Sequence, residues 1–201
     1  MKPATENEYG FCQDGKVFIR PYLNFPQREI GFVRETEEAS LAYFVKRFEL
    51  ASNKVDILAR EVTTVANKGS FLTKVVQMKA YLGNFDGLGD FMPLFDQLDQ
   101  MESYLRGLIQ NNQIKNLEIK RALIQDAAQL AEQEDILKAT EDLLDTKTKW
   151  VKTGPVDKQF QDELSEEFQA VLDAFFLRRR AYFEEKNRQI DEKIAILQGF
   201  I

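Results

Sequence analysis

Residues 36–65 read TEEASLAYFVKRFELASNKVDILAREVTTV, and their spacing decides the fold. Leu41, Phe44, Phe48, Ala51, Val55, Leu58, Val62 and Val65 follow one another in alternating steps of three and four. That is a helical repeat sustained for close to four heptads, the pattern of a coiled-coil-like seam. Thr36 offers a hydroxyl N-cap, and Glu37 and Glu38 place acids in the positive first turn. The stretch from Asn67 to Ser70 is expected to end the helix, with Gly69 at the C-cap and Ser70 capping the next helix. A seam of this kind needs a covering face. The apolar positions at 91–108 can supply one within the chain, running antiparallel, and a second copy can supply one instead. Leu41, Phe44, Phe48, Val55, Leu58 and Val62 are therefore candidate self-association residues.

Downstream, Phe71, Leu72, Val75, Val76, Met78, Tyr81 and Leu82 mark a short helix, and Gly83–Gly89 a loop. Asp90 caps a further helix with Pro93 in its first turn, where the missing N–H costs little. Phe91, Leu94, Leu98, Met101, Leu105 and Leu108 give its face. No breaker interrupts Gln110 to Gln113, so this helix is expected to continue to about Ala131. A second helix carries Ile136, Leu137, Leu143, Leu144 and Trp150 and stops at Gly154-Pro155. From Asp157 the pattern runs without Gly or Pro to Gln198, a rod of ~60 Å at 1.5 Å per residue. An elongated molecule follows from that length.

Upstream, Tyr9 and Phe11, then Asp14-Gly15, then Val17, Phe18 and Ile19 read as a hairpin with a type I′ turn. Ile30, Phe32 and Val33 form a third strand. The expected fold is thus mainly α, with a small N-terminal antiparallel sheet (1–35), a helical hairpin or coiled-coil region (36–112) and a C-terminal three-helix unit (113–201) ending in a long helix.

Composition narrows the chemistry. Of 201 residues 44% are apolar and 30% charged, which suits a folded helical protein. There is no histidine and one cysteine, Cys12. Histidine-based acid–base catalysis, Ser/His or Cys/His nucleophiles, zinc fingers and disulfide frameworks are excluded. No metal site, cofactor or small-molecule substrate is expected. The formal net charge of −6 argues against nucleic-acid binding by bulk charge. The opening MKPATENEYG has no apolar core of a signal, and no apolar run is long enough to span a bilayer. A cytoplasmic location is expected.

Trp150 to Val156 (WVKTGPV), followed by Leu164, Phe168, Phe175-Phe176, Arg178-Arg179-Arg180 and Tyr182-Phe183, resembles the bacterial family DUF349, whose function is unknown. The upstream order Tyr9-Gly10-Phe11, Asp14-Gly15, Arg28-Glu29-Ile30-Gly31, Glu37-Glu38-Ala39 and Arg47-Phe48 resembles the piece that often precedes that domain. The likeness extends from about residue 9 to about 196, and it departs from the family pattern at Ser165, commonly Trp. It implies an intracellular bacterial helical protein and supplies no activity, cofactor or catalytic residue.

Two functions compete at this point. The first is a non-enzymatic interaction or scaffold protein, self-associating through long helical faces, with a protein partner or a homodimer. The second is an RNA- or ribosome-associated factor holding phosphate through Lys147, Lys149, Lys152, Arg178 and Arg180. Arg178 is the freest of the arginine run, Arg179 should lie over the apolar stripe, and Arg180 should pair with Glu184 one turn on. Trp150 reads either as a stacking platform or as a core wedge.

Overall fold

The computed structural model describes residues 5–198. The chain divides into two compact units, Met1–Ile109 and Gln110–Ile201.

In the first unit three strands, β1 (Gly10–Gln13), β2 (Lys16–Ile19) and β3 (Arg28–Phe32), form an antiparallel meander in that order. Asp14 and Gly15 have φ of 51° and 74°, the two left-handed residues a type I′ turn requires. The β1–β2 register is Gly10↔Ile19 through Gln13↔Lys16, and β2 meets β3 with a bulge at Val17/Phe18. Pro21 falls after β2, outside the ladder it could not donate to.

Helix α1 (Glu37–Glu61) starts as its sequence demands, with Thr36 Oγ1 accepting from the Ala39 amide at 3.1 Å. It ends earlier than the apolar repeat predicts. Val62-Thr63-Thr64-Val65 is a β-branched run, stiff at χ1 and a poor helix former, and the chain leaves the helix there. Asn67, not Ser70, caps α2 (Lys68–Gly83), its side-chain oxygen accepting from the Ser70 amide at 2.9 Å. Gly69 therefore lies in the first turn of α2 instead of closing α1.

The link after α2, with Gly87 and Gly89, fills core instead of merely crossing it: Phe85, Leu88 and Phe91 are buried. The Leu88 amide donates to Phe44 O at 3.0 Å, and Arg28 holds Asp86 at 2.5 Å and Phe85 O at 2.6 Å. Helix α3 (Met92–Ala131) runs unbroken through Gln110–Gln113, as the absence of a breaker predicts. Asp90 accepts from the Met92 amide at its start.

One core joins the sheet face (Cys12, Val17, Ile19, Ile30), the α1 seam, Phe71, Val75 and Leu82 of α2, and Leu94, Leu98, Met101 and Leu105 of α3. Cys12 is 1% exposed, and its thiol is pushed above the ordinary range by burial and then by Glu37 and Glu38. It is an apolar filler.

In the second unit the later part of α3 packs with α4 (Ile136–Lys152) and α5 (Lys158–Gln198) around Ile124, Ala127, Leu143, Leu164, Phe168, Leu172 and Phe175. Asp135 caps α4 by accepting from the Leu137 and Lys138 amides. The chain is thus mainly α with a small N-terminal antiparallel sheet and a long last helix, the class its periodicities predict.

Candidate interaction surfaces

The α1 seam is the first surface to place. Leu41, Phe44, Val55 and Val62 are 6%, 5%, 0% and 8% exposed, and Phe48 and Leu58 pack against the same core. Phe48 meets Phe91 edge-on at 4.9 Å. The chain covers its own seam, using α2, the glycine link and the start of α3. A second copy could reach these side chains only by displacing that packing. Of the two covering faces open at the sequence level, the intramolecular one is realised.

The basic residues of the second unit do not converge. Arg178 donates to Ala131 O and, at 2.7 Å, to Gln133 O, so the side chain expected to be freest is engaged by the end of α3. Helix carbonyls left without partners in a last turn attract a guanidinium, and no local pattern in α5 reveals that. Ala131 and Gln133 precede the start of α4. Lys147 and Lys152 lie ~16 and ~24 Å further along that helix at 1.5 Å per residue. Lys149 pairs with Asp145 at 2.8 Å and is held charged by it, with Asp126 and Asp142 adding to the effect. Those carboxylates line a cleft of about 310 Å³ between α3 and α4 together with Gln129, Gln133 and Thr146. Phosphate would meet repulsion there. Arg180 pairs with Glu184 at 3.4 Å, and Arg179 lies over the Phe183 ring at 5.2 Å, both as their helical spacing predicts.

Trp150 is a wedge. It stacks on Phe168 with ring centroids 4.2 Å apart and planes 6° from parallel. It also meets Lys120, whose Nζ lies 4.6 Å from the indole centroid. Lys120 is 5% exposed, and burial pushes its ammonium below the usual lysine range. The sequence reading passed over this residue, yet a signal is there. Leu117, Lys120, Ile124 and Ala127 occupy consecutive three/four steps, so a lysine holds an apolar position of the stripe. Below the same corner Asn116 Nδ2 donates to Pro155 O at 2.8 Å and sits so close to Gly154 that a side chain there would collide with it.

The last surface is the tail of α5. Every residue from 184 to 198 is exposed, including Ile190 (54%), Ile194 (46%) and Leu197 (67%). No helix among the described residues is long and apolar enough to cross a membrane.

No curated protein and no solved structure matches the chain. Residues 96–159 match the family model described as Domain of Unknown Function (DUF349). The matched span takes in Lys120, Trp150 and Gly154. It ends before the Leu164–Phe183 part of the resemblance and excludes the N-terminal part. Over this span the chain is similar to the DUF349 family, a family of unknown function.

Proposed function

We propose that this protein is a non-enzymatic, cytoplasmic interaction protein that presents helical surfaces and pairs with a second copy through the tail of α5. The observation that carries the reading is the bare stripe Ile190, Ile194 and Leu197 on a helical segment exposed on all sides. Helices in water owe most of their stability to a covered apolar face, and a stripe at this spacing is covered by another helix. Arg188 bonds Glu185 at 2.8 Å and Glu192 at 3.6 Å, which supports the helix until that cover arrives. Two identical stripes lying antiparallel satisfy each other about a two-fold axis. A chain without histidine, with its lone thiol buried, suits docking better than catalysis in a reducing compartment. Sedimentation equilibrium of the full chain tests the reading. A dimer is expected, converted to monomer by the double substitution Ile190→Glu, Ile194→Glu with the helical circular dichroism retained. A wild-type chain that stays monomeric at high micromolar concentration overturns it.

A further inference from the structure

A second surface lies in the first unit. The two edges of the small sheet are treated differently. The edge of β1 is covered by the preceding segment: the Cys12 amide donates to Thr5 O at 2.9 Å and Glu6 bridges Phe11. The outer edge of β3 pairs with no strand among the described residues.

Register shows what that edge offers. The Val33 amide donates inward to Gly15 O at 2.8 Å, and Lys16 stands opposite Phe32. Antiparallel pairs alternate between bonded and non-bonded positions. Lys16–Phe32 is a non-bonded pair, so the N–H and C=O of Phe32 point away from β2 toward the open edge. The Phe32 side chain is 64% exposed.

Between β3 and the first turns of α1 runs a cavity of about 380 Å³. Its floor is apolar, where the Phe44 ring lies against Gly31 so closely that any side chain at 31 would strike it. Tyr43, 54% exposed, forms one wall. Arg34 and Arg47 stand on the rim and join no ion pair among the described residues; Glu35 is the one acid there. The Arg47 guanidinium lies 5.3 Å from the Phe85 ring centroid and 6.0 Å from that of Tyr43. Two unpaired guanidinia against one carboxylate, on a chain of net charge −6, make this a local basic spot.

We propose that the open edge of β3 binds an extended, acidic segment of a partner protein. The segment adds as a further strand through the Phe32 amide and carbonyl, places an apolar side chain between Phe32 and Tyr43, and sets carboxylates on Arg34 and Arg47. Main-chain pairing supplies the affinity common to strand addition, and the arginines select acid over base. Natural sheets blunt free edges with proline, charge or bulges; β3 has such a bulge at Ile30, but Phe32 lies beyond it, with its free amide beside an exposed aromatic ring.

The test is titration of the full chain with a soluble capped peptide of alternating valine and glutamate, read by calorimetry and by hydrogen exchange at the Phe32 amide. Saturable binding with slowed exchange at Phe32 is expected. A valine/lysine peptide should bind about tenfold more weakly or worse, and Arg34→Glu or Arg47→Glu should weaken the glutamate peptide about tenfold. Phe32→Pro removes an amide that β2 does not use, so it should leave the thermal transition near its wild-type position and abolish binding. Failure of the glutamate peptide to bind, equal binding of the lysine peptide, or unchanged affinity in both arginine variants overturns the proposal. So does a wild-type dimer that Phe32→Pro dissolves, which would make the occupant a second copy.

Discussion

Arg178, midway along α5, donates its guanidinium to the main-chain oxygen of Ala131, the last residue of α3, and to that of Gln133 just beyond. The two ends of this contact are 47 residues apart. It does for α3 what a C-cap does locally, and it places the cation where the helix dipole is negative.

Replacing Arg178 with alanine should cost about 1 kcal/mol, measured by urea denaturation of the full chain. Arg178→Lys should recover part of that loss, because an ammonium still answers the dipole while losing the forked geometry that reaches two carbonyls. An alanine variant as stable as wild type would mean that the contact contributes nothing.

Lys120 makes the opposite case. Its charge is buried against Trp150 with no carboxylate partner among the described residues, and burial lowers its pKa. The folded state therefore disfavours the proton more than the unfolded state does. That penalty is full below the folded pKa and fades as pH rises toward the ordinary lysine range. Lys120→Met keeps the stem and removes the charge, and it should raise stability by about 1 kcal/mol at neutral pH after the lost cation–π contact is subtracted. The gain should shrink in alkaline buffer. Destabilisation at neutral pH would show that the indole contact outweighs burial.

In the first unit Lys79 of α2 bonds Asp99 and Glu102 of α3, and Glu102 also takes Arg106 at 2.7 Å. Hydrogen bonds from Lys79 and then Arg106 hold the Glu102 carboxyl below the usual range. A lowered acid pKa contributes stability above its unfolded value, and that contribution is lost as pH falls through the folded value. Glu102→Gln should thus cost roughly 1 kcal/mol at neutral pH and nothing once the wild-type carboxyl is protonated. Thermal melts of both chains from neutral to acid pH should converge. Parallel curves would remove Glu102 from the acid limb.

What was legible in the sequence was whatever local spacing encodes. The I′ turn at Asp14-Gly15, the Thr36 and Asp90 caps, the unbroken α3 and the long α5 all follow from residues within a turn or two of one another. The end of α1 was not, because the apolar repeat continues to Val65 while the β-branched backbone stops at Glu61. Periodicity reports burial, and Val62 is buried although it is only the C-cap that closes α1. Arg178 was misjudged for a related reason: spacing within α5 cannot show the carbonyls at the end of α3. Phe32 was legible as a strand residue and Arg47 as a helix residue, but not their place at an open edge, because that is a property of strand order.

The α1 repeat gives the sharpest test of what such a pattern means. A heptad seam shared between copies and one closed within a chain look identical in sequence, but they respond differently to dilution. Val55 is fully buried in the core of the first unit. Val55→Ala should lower unfolding free energy by roughly 2 kcal/mol through lost transfer and residual cavity. Because the covering face is intramolecular, that loss should be the same at every protein concentration, and the sedimenting mass of the folded variant should equal that of wild type. A loss that grows on dilution, with dissociation preceding unfolding, would place the seam between molecules.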